Sequence, residues 1–325
     1  MKTDSSSTTT TQGNIDNVDI AAVGIGKKYS KRFLRVNDDD DGNDGDEYPS
    51  PWLDDNAHWT KCLEQNQWTR WDGTMGTAQE HMKWMQQQAK SLFSAARADE
   101  FRLYGQHDGC QYYLHNELTR QGDGFGCFKI EGRVFDIEPC DLLRLCFDMT
   151  NIPVLDVTAV YYKMAKPYPI IGSSKASLGF SSYVAPVYWS NDPGFPFSFR
   201  DGIDLTGFIT SDQDDDDGDE SSKNTIWQVA CGVDLPAFQS QPGAIKATDR
   251  YWAYRLEKVG PQQTKVSIIC QCCLNGWIPR FLSNYYVCKV LIDSLSKMEK
   301  AIAQLKAEDP QRYKERCAKM GLNNL

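Results

Sequence analysis

The sequence predicts an α+β fold in which a curved antiparallel sheet faces a long C-terminal helix across an internal apolar cavity. Three observations predict it. Strand-like runs crowd the second half of the chain, the clearest being 265–274, where Val266, Ile268, Cys270 and Cys272 alternate onto one face. A helix-period stripe of Phe281, Tyr285, Cys288, Ile292, Leu295 and Ile302 follows, while Lys289, Asp293, Lys297 and Lys300 lie off it. Finally, 41% of the 325 residues are hydrophobic and 12% aromatic, enough for a large core. Many antiparallel strands with one terminal helix make a two-layer structure. If the sheet curves, the layers enclose a space between them.

The elements follow in chain order. Residues 1–50 read as a disordered acidic tail, with a Ser/Thr tract and the acidic run 38–47. Such segments bury too little surface to offset their ordering entropy. Residues 51–77, with Trp52, Trp59, Trp68 and Trp71, read as a segment docking on the domain. A helix is expected over 76–98, since Met82, Met85, Ala89, Leu92 and Phe93 recur at its period. Strands are expected over 111–118 and 126–137, then a short helix over 138–148 carrying Leu142, Leu143, Cys146 and Phe147. Further strands are expected over 156–164, 178–189, 203–210, 225–233, 244–249, 251–257 and 265–274. A second acidic run, 212–220, interrupts the middle of this series. Pro279 suits the first turn of the final helix. The principal domain spans 78–306, and 307–325 is a charged C-terminal extension.

Composition narrows the function classes. A formal net charge of −9 argues against nucleic acid, whose phosphates call for a Lys/Arg surplus. It also argues against electrostatic capture by anionic membranes, so membrane contact would be mainly apolar. No run approaches ~18 consecutive apolar residues, the length of a spanning helix. Eleven cysteines without a visible secretory signal read as reduced thiols in a cytoplasmic protein. Cys270, Cys272 and Cys273 invite a metal reading, but strand geometry sends Cys272 and Cys273 to opposite faces. No histidine follows His115, so no metal or cofactor is expected.

Three stretches carry more than class information. They are Val187-Tyr188-Trp189 followed by 195–201 (Phe-Pro-Phe-Ser-Phe-Arg-Asp), then 243–246 (Gly-Ala-Ile-Lys), then Lys265-Val266 leading to 275–284 (Asn-Gly-Trp-Ile-Pro-Arg-Phe-Leu-Ser-Asn). In this order and spacing the chain resembles the START family of lipid-transfer domains over about 78–306. Within that family it is most similar to the phosphatidylcholine-transfer branch. The resemblance implies a helix-grip fold and one lipid, phospholipid rather than sterol, in an internal tunnel. It also implies a gate formed by the loop over 190–199 and the last helix. Where the branch has a phosphate-contacting Arg before a Trp-Asp pair, this chain has Ile152 and Leu155-Asp156. Trp189 matches one position of the branch's aromatic choline cage. A second falls on Gly202 and a third on Arg250 or Tyr251, depending on alignment. Thr206 stands where the sterol branch tends to bury an Arg.

The candidate residues follow from these matches. For the headgroup and tunnel they are Asp156, Trp189, Arg200, Thr206 and Tyr251. For the roof they are Phe281, Tyr285, Cys288 and Ile292. For the membrane-facing gate they are Phe195, Phe197, Phe199 and Trp277, since aromatic rings suit the headgroup region. Each has a plainer alternative: Arg200 and Asp201 as a turn brace or salt bridge, Trp189 as a core ring, the gate phenylalanines as loop anchors. The expected function is non-enzymatic binding and transfer of a lipid by a monomer in transient, peripheral contact with membranes. A lipid sensor or adaptor is the alternative, with the acidic segments as a protein-binding arm. A hydrolase or cyclase ranks last, because all four histidines precede residue 116 and no Gly-x-Ser-x-Gly is present.

Overall fold

The computed structural model describes residues 67–107, 110–118, 126–147, 159–164, 168–169, 182–192, 197–210, 224–235, 240 and 243–319. The expectations for 1–66 and 212–220 lie outside this set, as do Asp156 and Phe195 and the side chains of Phe281 and Tyr285.

The first described elements dock at the sheet margin. Strand β1 (Trp68–Arg70) pairs antiparallel with the short β2 (Met75–Gly76). Helix α1 (Ala78–Phe93) follows and opens with a capping box: Glu80 N–H donates to Thr77 Oγ1 and Thr77 N–H to Glu80 Oε2. The helix is shorter than the 76–98 expected. Ser94 turns extended, and Ala95–Glu100 closes as a 3-10 segment in which Arg97 Nε donates to both Glu100 oxygens at 2.8 Å.

Next come β3 (Phe101–His107), β4 (Cys110–His115), β5 (Phe128–Phe135) and helix α2 (Pro139–Phe147). Strand β3 escaped the sequence reading because it lies at the sheet edge. A register shift between Leu103 and Gly105 leaves Leu103 and Tyr104 both exposed, which breaks the alternation. Strands β6 (Ala159–Met164), β7 (Tyr168–Pro169), β8 (Tyr183–Asn191), β9 (Arg200–Thr210) and β10 (Thr225–Asp234) continue the sheet. Strand β11 (Ile245–Lys246) lies parallel to the start of β9. The two runs expected over 244–257 are mostly one long strand, β12 (Thr248–Gly260), bulged at Arg250. Strand β13 (Gln263–Cys273) leads to α3 (Arg280–Ala307) and α4 (Pro310–Lys319).

Among the described residues the sheet runs β3-β4-β5-β13-β12-β10-β9-β8-β6, so β3 and β6 are its open edges. Strand β1 pairs with β10 off this path. The two faces meet different helices. On the outer face, α1 approaches β8, β9, β10 and β12. There Met82, Met85 and Ala89 pack with Ile203, Leu205, Trp227, Val229 and Cys231. Trp68 is buried in the same cluster, and His81 Nε2 donates to its carbonyl at 2.8 Å. On the inner face, Phe128, Ile130, Phe208, Ile226, Leu256, Val266, Ile268 and Cys270 belong to a second cluster. Helix α3 contributes Cys288, Leu291, Ile292, Leu295, Met298 and Ile302 to it. The described part of the expected stripe on α3 is therefore core.

Met85 is 1% exposed between α1 and the strands, so Met85→Ala should lower unfolding free energy by about 2–5 kcal/mol. Urea denaturation measures it. A loss below 1 kcal/mol would mean that α1 does not pack flush on the sheet.

Candidate functional site

The site starts from the alternation of strand side chains. Cross-strand partners share a face, so registers give rows across the inner face. One row runs Val187, Asp204, Gly232 over β8, β9 and β10. The next runs Ala185, Thr206, Ala230, Trp252, Cys270, Phe128. The third holds Tyr183, Phe208, Gln228, Tyr254, Ile268 and Ile130. These rows face α3.

Two carboxyls meet at the end of this surface. The bulge at Arg250 shifts the register of β12, so that Asp249 stands opposite Cys272 while Tyr251 stands opposite Gln271. That turns Asp249 to the inner face, where it hydrogen-bonds Asp204 across the intervening strand. The residue between them is Gly232. A Cβ there would come 2.4 Å from Thr248 Cγ2 and 3.1 Å from the Asp249 carbonyl, so only glycine lets the bulged chain lie this close. Trp189 Nε1 donates to Asp204 Oδ2 at 2.8 Å. Burial pushes the Asp204 carboxyl well above the usual carboxylate range, and the neighbouring Asp249 adds to the shift. Burial raises Asp249 too, against the lowering effect of hydrogen bonds from Asp204 and Cys272. Two buried carboxyls this close disfavour double ionisation, so each makes the other harder to deprotonate.

Arg200 and Asp201, adjacent in sequence, point to opposite faces. The Arg200 guanidinium is 2% exposed and donates to the carbonyls of Ser198 (2.5 Å), Leu274 (2.6 Å), Phe199 and Asn275 (both 3.3 Å). It ties the start of β9 to the chain leaving β13. Asp201 lies on the outer face and accepts from Tyr188 Oη at 3.3 Å. The pair therefore braces the fold without forming a salt bridge to itself. Beyond this brace the chain turns through Asn275 (φ 49°) and Gly276 (φ 74°). Both are left-handed, a conformation glycine and asparagine tolerate. The turn leaves Trp277 94% exposed immediately before α3.

The other sequence-derived candidates divide. Trp189 and Thr206 lie buried on the inner face. Cys288 and Ile292 line α3 toward it, and burial pushes the Cys288 thiol up to about 12. Tyr251 is corrected: it belongs to the outer face, stacked on Trp84 of α1 at 5.8 Å and edge-on to Trp71 at 6.2 Å. Alternation with Trp252 and Tyr254, which take the inner positions, sends it there. Phe197 is half-buried with its ring 5.9 Å from Tyr286 of α3, and Phe199 is half-buried beside Arg200. The acid pair was missed, although the two aspartates and Gly232 are plain in the sequence; the bulge that joins them was not. No group of three or more metal-ligating side chains occurs among the described residues.

Part of the inner face is less covered than the apolar seam under α1. Along β10, Trp227, Val229, Cys231 and Val233 are all buried under α1, whereas Gln228 on the opposite face is half-buried. Tyr183, Trp252, Tyr254 and Asp249, also turned toward α3, are half-buried as well. Helix α3 makes its chief backbone approaches to α2 and β5, at one side of the sheet. A separate groove of about 280 Å³ runs between α4 and the β12–β13 turn, but Asp136, Asp141, Lys306 and Glu308 line it. Ile137, Leu305, Pro310 and Tyr313 line it as well, so its surface is mixed.

An antiparallel sheet gripping a C-terminal helix defines a helix-grip fold. The same arrangement recurs in known structures of START domains. The crystal structure of human STARD10 superposes with a TM-score of 0.53 at 13% identity, over 73% of this chain and 83% of that one. Human StAR-related lipid transfer protein 5 superposes with a TM-score of 0.52 at 14% identity, over 70% and 98%. The likeness is one of fold. No protein family's sequence profile matches the chain, and no curated protein sequence does. Among the described residues no helix is long and apolar enough to cross a membrane.

The acid pair gives a pH prediction. Both carboxyls titrate higher in the folded chain than in the unfolded one, near ~3.9. Their contribution is therefore fully present below the unfolded value and lost as pH rises through the raised folded values. Asp249→Asn, which removes the like charge facing Asp204, should gain in thermal midpoint relative to wild type as pH rises from 5 to 8. Melting curves across that range measure it; a constant difference would contradict this coupling.

Proposed function

We propose that this protein binds one lipid between the inner sheet face and α3, and transfers it between membranes. The observation that carries the reading is the half-buried state of Gln228, Tyr183, Trp252 and Tyr254 in the middle of the sheet, facing a helix. The apolar side chains of β9 and β10 beneath α1, such as Leu205, Val229 and Cys231, are enclosed. Residual open surface at this depth is what a carrier needs, and the shared fold with START structures supports it. Binding requires no reactive group. Each methylene leaving water gains about 0.8 kcal/mol, so a long acyl chain resists leaving a membrane unless a protein supplies apolar surroundings.

The ligand in this reading is uncharged. A phospholipid, the class the sequence resemblance favours, needs a cation or several donors for its phosphate. The three inner-face rows carry no Lys or Arg; Arg133, opposite Val266, is taken up by Glu299 of α3 at 2.6 Å, and Arg200 is bound to main-chain carbonyls. Lipid would enter near Trp277 and Phe197, beside the first turn of α3. An exposed indole is suited to the membrane interface. A sensor that holds lipid without delivering it is the second reading; the same pocket would serve both.

Native mass spectrometry of the purified protein should find one lipid bound per chain, and vesicle-to-vesicle exchange should accelerate in its presence. Tight binding without acceleration favours the sensor. Trp277→Ala should slow exchange several-fold while changing stability by no more than about 0.5 kcal/mol, as befits an exposed side chain. Unchanged exchange would remove Trp277 from the membrane contact.

A further inference from the structure

We propose that the groove between α4 and the β12–β13 turn is the docking site of the chain's own basic segment, residues 27–35, a proposal that stands apart from the carrier reading above. Separate parts of the fold build the groove. The chain entering α2 gives Asp136, Ile137 and Asp141, the β12–β13 turn gives Gln262, and the joint of α3 and α4 gives the rest. Its volume of about 280 Å³ is at the small end for a ligand pocket, so it suits one or two anchoring side chains.

The lining joins two chemistries. It holds three carboxylates, Asp136, Asp141 and Glu308, against one ammonium, Lys306. Arg144 donates to Asp141 Oδ1 at 2.8 Å and Gln263 to Asp136 Oδ1 at 3.1 Å, so each of these carboxylates has a second oxygen for a further donor. The apolar part is fixed by the core: Ile137 is buried, and Leu305 and Tyr313 are half-buried against the inner-face cluster. A partner that matches this surface carries cations beside aromatic or aliphatic side chains. An anion meets like charge here, and bare hydrocarbon leaves the carboxylates unanswered.

Outside the described residues one stretch of the chain has that composition. Residues 27–35 hold five cations, Lys27, Lys28, Lys31, Arg32 and Arg35, and no acid, interleaved with Tyr29, Phe33 and Leu34. The acidic runs 38–47 and 212–220 also attract these cations, but neither contains an apolar side chain. The groove offers carboxylates and an apolar floor together. It is also within reach. Residues 36–67 link the segment to β1 and span up to roughly 110 Å. The groove lies on the order of 45 Å from β1, one strand length and three strand spacings away. This follows because β1 pairs with the Asp234 end of β10, while the groove adjoins the turn beyond its Thr225 end. A tether of this reach makes docking intramolecular and raises its occupancy without any further contact. Docked there, the segment's five cations are unavailable to other anions.

Photocross-linking in the full-length protein tests this. Phe33 is replaced by p-benzoylphenylalanine, the protein is irradiated, and adducts are mapped by proteolysis and mass spectrometry. Adducts should concentrate on the groove, at Ile137, Leu305 and Tyr313, within single chains. The double substitution Asp141→Lys with Glu308→Lys should lower them about 10-fold, as expected when two exposed attractions become repulsions. Groove adducts should also fall several-fold in ~1 M NaCl, where charges are screened beyond about 3 Å. Adducts concentrated on 38–47 or 212–220, adducts spread evenly over the surface, or groove adducts that join two chains overturn the proposal. So do groove adducts that withstand both the charge reversal and the salt. Should the double variant fail to fold, the adduct map and its salt dependence decide. None of these results bears on whether the inner face carries a lipid.

Discussion

The alternation of side chains along each strand governs this molecule. A strand has two faces, and in β8, β9, β10 and β12 both are turned toward helices. The outer face meets α1 across a packed apolar seam. The inner face meets α3, whose chief backbone contacts lie toward α2 and β5. One sheet thus does two jobs: its outer side supplies stability, and its inner side keeps surface free. The two acidic residues of β9 illustrate this, since Asp201 is absorbed into the outer packing beside Tyr188 while Asp204 looks inward.

Much of this was legible in the sequence. The period-2 runs of β10 and β13 and the period-3.6 stripe of α3 gave the layers, because burial on one side leaves a regular trace in apolar composition. Arg200 was readable as a brace. What resisted reading shares one physical cause: places where the chain departs from its period. The register shift in β3 hid an edge strand. The bulge at Arg250 split β12 into two apparent strands and concealed the meeting of Asp249 with Asp204. Bulges depend on cross-strand pairing, which a single chain read in order does not display.

The fold and the chemistry are separate statements. The helix-grip arrangement is held by apolar clusters and by the Arg200 brace, and none of these groups selects a guest. In the proposed carrier, selection would fall to the few polar atoms on the inner face, where low-dielectric surroundings raise the cost of leaving an oxygen without a fitting partner. A scaffold of this kind hosts different functions by altering a few side chains while its core stays the same.

The extra residue at position 250 has a consequence for how such a protein diverges. Asp249 and Tyr251 stand opposite consecutive residues of β13, Cys272 and Gln271, with Arg250 left over between them. Losing that one amino acid would close the ladder and leave both neighbours on the sides they already occupy. Drift in length at this point is thus absorbed by the edge of the ladder, and whether the interior is acidic there depends on the side chain at 249 alone.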